Sequence, residues 1–382
     1  MTNLNHFDLF CGPGGFATGF EWAGFNTVIG VDIHKPSLET FKTNHPSAKT
    51  FLGDIREVSD KDLVNIAGTA EVHVLSAGVP CEGFSMSNRN RTKFTDERNF
   101  LFLEFLRIAE ALKPEVLLVE NVANLASHDK GFFAQEIESG MAELGYETSS
   151  TVLDASHFGI PQRRRRVMFI GFKPGYSFKW PVPSHGKNLI DFVTVGDAIL
   201  GDLPRLKSGQ SLDKYSGPAL TEYVKFLRKG SRTLLNHEAP NHPQSTIDRI
   251  RRTKPGEPMY ESFKQRIRLH PDKISPTIVS GGIRPQFAYG HPTQARGLSI
   301  RERARLMSFP DWYEFVGGIV QGRVQTGDAV PPILANKVAT EIMSALEGKT
   351  DRRLNELGKI HLGQITRKQA VSQLELDISQ TA

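Results

Sequence analysis

The chain has 382 residues, 39% of them hydrophobic, which is enough for two domains and a tail. It has no apolar run of transmembrane length and no signal-peptide pattern, and two cysteines make neither a disulfide framework nor a zinc cluster, so a protein of a reducing cytoplasm is expected. Net charge is +5, with the positive excess concentrated in residues 187–273 (16 Lys+Arg against 10 Asp+Glu), a segment that either meets phosphates or forms a solvated basic surface.

From the amino terminus, FDLF at 7–10 predicts a short strand, CGPGG at 11–15 a glycine loop, and 16–23 a helix. Glycines between strand and helix let the backbone approach a ligand, and the helix start offers free N–H donors. The spacing is not the dinucleotide GxGxxG, because position 17 is Ala17 and the next glycine is Gly19; a plain tight turn is the competing reading. TVIGV at 27–31 predicts a second strand ending at Asp32, placed to accept bonds from ribose hydroxyls or to cap the helix starting near Pro36. TFLGD at 50–54 predicts a third strand ending at Asp54. Two acids at two strand ends beside a glycine loop suggest an adenosine pocket.

A fourth strand over 72–77 runs into GVPCEGFS at 78–85. Cys81, at the end of a strand on a Gly/Pro-framed loop, is either a nucleophile or a small core filler. A helix over 99–112 stops before Pro114. EVLLV at 115–119 predicts a fifth strand, from which Glu120 and Asn121 emerge near the same edge as Cys81. Their ordinary alternatives are a helix-start charge and a backbone-bonding turn residue. A helix over 131–144 and strands over 148–153 and 167–172 follow. Between those strands lies FGIPQRRRR at 158–166; arginines entering an apolar strand point to alternate sides, so some face inward and need anions or acceptors. Composition shifts from Pro174, and a boundary is placed near Lys187. Short helical patches at 220–228 and 246–252 come next, then RGLSIRE at 296–302 opening a helix through Met307. TGDAVPP at 326–332 precedes an amphipathic helix over 333–346.

Taken in this order, the glycine loop, Pro80-Cys81, Glu120-Asn121-Val122, the run 162–166 and the segments 296–311 and 327–332 resemble the DNA (cytosine-5)-methyltransferase family over residues 7–346. The resemblance implies an α/β fold, a doubly wound, mostly parallel sheet binding S-adenosylmethionine, with a second, smaller target-recognition domain. It implies a catalytic domain over 1–186 completed by the helix at 325–347, a recognition domain over 187–324 and a polar tail over 348–382. The expected partner is double-stranded DNA, with a monomeric protein working at a prokaryotic nucleoid and no metal.

The chemistry explains the residue types. Carbon 5 of cytosine is a poor nucleophile until a thiolate adds to carbon 6, and Cys81 matches that thiolate. Glu120 matches the acid at N3, and Arg164 and Arg166 match the arginine pair that holds the base carbonyl oxygen and supports the loop. Because the target atom is hidden in a duplex, the base is flipped out. For the methyl donor the resemblance implies Phe10, Gly12, Gly14, Gly15, Asp32, Ile33, Asp54, Ile55, Leu101 and Asp328, with Asp32 on the ribose and Asp54 on the adenine amino group. Departures from the family pattern are Val79, Glu82, Arg165 and Asp328, none of which removes a catalytic group. The runner-up is the related transfer-RNA methyltransferase branch, whose second Cys-Phe-Thr motif is absent here. A non-catalytic relative would lack Pro-Cys or Glu-Asn-Val, and a nicotinamide dehydrogenase would leave Cys81 and Glu120 unexplained.

Overall fold

Seven apolar runs pair into one sheet: β1 (Asn5–Leu9), β2 (Asn26–Asp32), β3 (Lys49–Leu52), β4 (Val74–Gly78), β5 (Val116–Val122), β6 (Glu147–Asp154) and β7 (Arg165–Phe172). The order is β3-β2-β1-β4-β5-β7-β6, with β7 antiparallel to both neighbours and the other pairings parallel. The computed structural model describes residues 4–59, 62, 65, 71–80, 101–126, 131–280 and 288–348; Cys81, the rest of 81–100 and the tail beyond 348 lie outside the described residues. From β1 the chain winds outward through β2 and β3, then returns to place β4 on the other side of β1. The crevice at the carboxyl ends of β1 and β4 is thus the topological switch point, where open α/β sheets take ligands.

The central strands are apolar on both faces because helices cover both, as parallel sheets require. On one face, α1 (Gly15–Trp22) and α10 (Pro332–Leu346) bring Phe16, Phe20, Leu334, Val338 and Ile342 onto Val116, Leu118 and Ile170. On the other, α3 (Leu101–Leu112) and α4 (Phe132–Glu143) bring Phe105, Ile108 and Met141 onto Leu117, Val119 and Phe169. Each such side chain, fully buried, contributes about 1.5–3 kcal/mol. α2 (Lys35–Asn44) packs Leu38 and Phe41 near Cys11. Gly19 sets the spacing of α1 and α10: a Cβ there would lie 2.5 Å from the Ala335 Cβ and 2.6 Å from Asn336 N.

Residues 195–315 gather α5 (Val195–Ile199), α6 (Glu222–Arg228), α7 (Gln244–Arg252) and α8 (Ile300–Leu306), most of them around a second apolar cluster that includes Leu227, Leu306 and Tyr313. This cluster is threaded with charge. Arg305 donates to both Asp202 (2.8 Å) and Asp311 (2.6 Å), and Arg296 pairs with Glu302 at 2.6 Å, all buried. Glu302 also closes a capping box with Ser299 at the start of α8. Two elements differ from the sequence reading. β5 continues through Val122, so Glu120 lies within the strand. The stretch before TGDAVPP forms a helix, α9 (Gly318–Asp328), which spans the domain boundary expected at 324.

Candidate active site

The carboxyl end of β1 turns through Phe10 and Gly12, both with positive φ (53° and 54°). A Cβ on Gly12 would meet nothing within 4 Å, so this side of the loop faces open space, whereas Gly14 and Gly15 turn their Cβ directions onto Tyr313 and Val330. Asp32, at the end of β2, accepts from the N–H of Gly12 (Oδ2, 2.7 Å) and of His34 (Oδ1, 2.7 Å). Burial raises its carboxyl above the ordinary value, and those two N–H groups pull against the rise. With one donor on each oxygen, the carboxylate plane is fixed and each oxygen keeps a lone pair for a hydroxyl. Ile33 beside it is 67% exposed, an apolar surface at the same edge, and Leu101 is half-buried at the start of α3. A fixed acid, an apolar flank and an open glycine turn fit a nucleoside-bearing cofactor.

Asp54 is otherwise engaged. Its carboxylate caps the short turn after β3 through Arg56 N (3.0 Å) and pairs with the Arg56 guanidinium at 2.6 Å, which holds it below the usual carboxylate range. Ile55 is buried beneath that turn. Asp328 is the exposed last residue of α9, where its charge favours the cationic forms of Arg164 and Arg303.

On the other side of the switch point, register sets Glu120 of β5 opposite Gly78 of β4, three residues before Cys81. Asn121 ties the two strands together at their ends: its Nδ2 donates to Val79 O (3.3 Å) and its Oδ1 accepts from Val122 N (2.8 Å). Glu120 is buried at 8% exposure and takes Arg166 Nε on Oε1 at 2.7 Å. Glu120 faces Met168 across the antiparallel pair, so Arg166 is its diagonal neighbour on the same face.

The four arginines do split by parity. Arg163 and Arg165 are exposed; Arg164 is buried and Arg166 nearly so. Arg166 finds an anion, whereas Arg164 finds acceptors, donating to Ile278 O (3.0 Å), Gly327 O (3.0 Å) and Ala329 O (2.8 Å). Burial and the neighbouring Arg166 push Arg164 down to about 9, so it remains a cation at neutral pH. Cys11 is buried in the glycine loop, where burial and Asp32 hold its thiol well above the ordinary value.

Sequence reasoning missed two buttresses. Tyr313 donates from its hydroxyl to Pro13 O behind the glycine loop, and Arg303 donates to Val279 O (2.7 Å) and Thr326 Oγ1 (3.0 Å). Arg303 lies in the 296–311 segment, but no spacing gives it a role, and these partners are 23 to 300 residues away.

A doubly wound sheet with a glycine turn after β1 and an acid after β2 defines a class I S-adenosylmethionine-dependent methyltransferase fold. The profile of the C-5 cytosine-specific DNA methylase family matches residues 4–344, and the chain belongs to that family. It is 36% identical over 352 residues to the Type II methyltransferase M1.HphI of Haemophilus parahaemolyticus, covering 89% of this chain and 87% of that protein. It is 29% identical over 406 residues to M.DdeI of Desulfomicrobium norvegicum, covering 98% and 96%. Among solved structures it is similar to a putative DNA modification methyltransferase encoded within an Escherichia coli prophage (TM-score 0.75, 24% identity, 90% of this chain and 100% of that one). It also resembles a mutant of Spodoptera frugiperda DNMT2 (TM-score 0.58, 15% identity, 90% and 100%), a likeness of fold. The protein is therefore a DNA (cytosine-5)-methyltransferase, transferring a methyl group from S-adenosylmethionine to carbon 5 of cytosine in DNA.

Proposed function

We propose that Cys81 is the nucleophile and Glu120 the acid of this methyl transfer, acting on one flipped cytosine in a specific duplex sequence. The Cys81 thiolate adds to carbon 6, and the electron pair displaced from the 5,6 double bond is drawn toward N3, where Glu120 delivers a proton. S-adenosylmethionine, when bound, supplies an electrophilic methyl sulfonium to carbon 5. Loss of the carbon 5 proton to a base then re-forms the 5,6 double bond and expels the Cys81 sulfur as thiolate, while the N3 proton returns to Glu120. Arg166 holds Glu120 through Oε1, and the other oxygen is assigned to the ring. Arg164 is a positioning residue that fixes the segment around Ile278 against the end of α9. Gly12, Asp32, Ile33 and Leu101 hold the cofactor, with Asp32 on the ribose hydroxyls. Phe10, Gly14, Gly15, Asp54, Ile55 and Asp328 belong to the same pocket or its frame.

The observation that carries this reading is the β4–β5 register, which brings Glu120 alongside the segment leading to Cys81. Residues 187–324 are the recognition region, and the protein works as a monomer in the cytoplasm, as a Type II modification enzyme or a solitary one. The DNA reading is preferred to the transfer-RNA branch because the curated relatives above 30% identity are named as Type II methyltransferases.

The test is trapping on duplex DNA with 5-fluorocytosine at the target site. Fluorine does not leave as a proton does, so the adduct survives denaturation. Cys81→Ser abolishes it, because an alcohol is far less ionised than a thiol. Cys11→Ser leaves it intact, and Glu120→Gln slows its formation by about 10²–10⁴. An adduct that persists in Cys81→Ser and disappears in Cys11→Ser overturns the assignment.

A further inference from the structure

The arginines of the recognition region differ in what their guanidiniums meet, and Arg228 meets both a ring, Tyr215, and a carboxylate, Asp202. Arg296, Arg301 and Arg305 are fully buried and satisfied by carboxylates or carbonyls. Arg249 and Arg266 are not. Neither guanidinium has a carboxylate partner among the described residues; each instead lies over an aromatic ring. The Arg249 Cζ is 4.3 Å from the Tyr260 ring centroid, and the Arg266 Cζ is 4.4 Å from that of Phe263 and 5.7 Å from that of Tyr260. Phe263 is 45% exposed, so the Arg266 guanidinium that it supports lies at the surface.

The base of this cluster is rigid. Residues 256–259 and 266–268 close a short antiparallel ladder through the Pro258–Ile267 bridge and the bonds Met259 N to Arg266 O (2.8 Å) and Arg268 N to Glu257 O (3.0 Å). The Arg268 side chain donates to Ile250 O and Thr253 O at the end of α7, and Ile250 and Met259 are buried against each other. From 248 to 268 the chain carries seven Lys+Arg against three Asp+Glu.

We propose that Arg249 and Arg266 are specificity-determining residues that read guanines of the recognition sequence from the major groove. The inference rests on the DNA-methylating function above and names the residues that choose the site. An arginine lying on an aromatic ring has its long stem ordered before DNA arrives, and the contact restricts the plane its guanidinium can take. Neutralising a phosphate needs no such orientation, because a flexible cation does it equally well. Reading a base edge does need it, since the O6 and N7 of guanine accept a two-pronged donor in one plane. Lys254, Lys264 and Arg252 surround the cluster, exposed and without a ring behind them, and are suited to phosphates.

The test uses the full-length protein with S-adenosylmethionine and a library of random-sequence duplexes, read by bisulfite sequencing. Wild type yields a consensus; failure to methylate any duplex would sink the DNA-methylating function rather than this proposal. Arg266→Ala and Arg249→Ala are each expected to lose discrimination for guanine at one consensus position by roughly 5- to 150-fold, while duplexes relaxed at that position remain substrates. Arg266→Lys, which keeps the charge and loses the fork, is expected to relax the same position and leave the salt dependence of binding unchanged. Arg251→Ala, whose guanidinium pairs with Asp248 at 2.7 Å, keeps the consensus and serves as the folding control. A consensus unchanged in Arg249→Ala and Arg266→Ala, with binding weakened equally on all sequences and a salt slope lower by about one, overturns the proposal and makes both residues phosphate contacts.

Discussion

The sheet and the region from 195 to 315 both bury titratable side chains, and they do so in opposite ways. In the sheet, Asp8 and His6 sit fully buried on β1, joined through Ser76: His6 Nε2 and Asp8 Oδ1 each lie 2.8 Å from the Ser76 hydroxyl. Burial drives both toward neutrality, raising Asp8 to about 7 and lowering His6 to about 3. In the second region the charges persist. Burial opposes ionisation of Glu302 and Asp311, yet the guanidiniums of Arg296 and Arg305 hold both carboxyls below the ordinary range. The difference follows from what each layer offers. On β1, where neither side chain has a guanidinium or ammonium partner among the described residues, the polar groups survive by losing charge, whereas at the sheet's end Glu120 finds Arg166. A loop-rich region leaves many backbone carbonyls and carboxylates without sheet partners, and guanidiniums threaded through its apolar cluster reach several of them at once.

The largest expected effect comes from breaking the second arrangement. Arg305→Leu leaves the buried Asp202 and Asp311 with only their longer guanidinium contacts, to Arg228 at 3.3 Å and Arg301 at 3.8 Å, and should cost about 3 kcal/mol in urea unfolding. Adding Asp202→Asn and Asp311→Asn removes the stranded charges and should recover part of that loss. If the single variant unfolds like wild type, this ion triad is not what holds the region.

That arrangement also explains what the sequence disclosed. The seven strands were legible because apolar runs between glycines and prolines carry the sheet. The parity of Arg163 to Arg166 was legible because side chains alternate along a strand. The frame around α8 was not, because its long-range bonds run from charged residues that periodicity treats as surface: Arg305 reaches Asp202 across 103 positions. α9 was hidden for a related reason. Its glycines are contact surfaces, with a Cβ on Gly322 falling 2.8 Å from Ile300, so no apolar stripe marks it as a helix. At the site, the motif residues were recognisable but their partners were not. The pairing of Asp54 with Arg56 and the binding of Arg164 to three carbonyls depend on contacts that no spacing announces.

A smaller effect is expected where the sheet keeps a carboxylate for use. Asp32 is held by backbone N–H groups, those of Gly12 and His34, and has no arginine or lysine partner among the described residues, unlike Glu302. Asp32→Ala should weaken S-adenosylmethionine binding by about 1–3 kcal/mol, measured by calorimetry without DNA, with little change in unfolding. Unchanged affinity would remove Asp32 from the cofactor pocket and leave it a structural cap of the Gly12 turn.

The subtlest expectation concerns pH: within the sheet His6 follows the second region, and Asp8 opposes it. Glu302 and Asp311 are depressed acids, so their stabilisation is present above the ordinary carboxylate range and is lost as pH falls through it. His291, pushed down to about 3 by burial, acts in the same direction below its ordinary 6.5, because the unfolded imidazole takes up a proton that the folded one refuses. Asp8 works the other way. Folded, it keeps its proton up to about pH 7; unfolded, it loses it near 3.8. Between those values the folded state binds the additional proton, so this group's contribution to stability grows as pH falls and shrinks as pH rises. Asp8→Asn carries no proton in either state and deletes that counterweight. The difference between the unfolding free energies of Asp8→Asn and wild type should therefore change by about 1 kcal/mol per pH unit between pH 4 and 7, with the variant losing ground on the acid side. Parallel curves would mean that Asp8 titrates normally in the folded protein, and that the sheet buries a true charge after all.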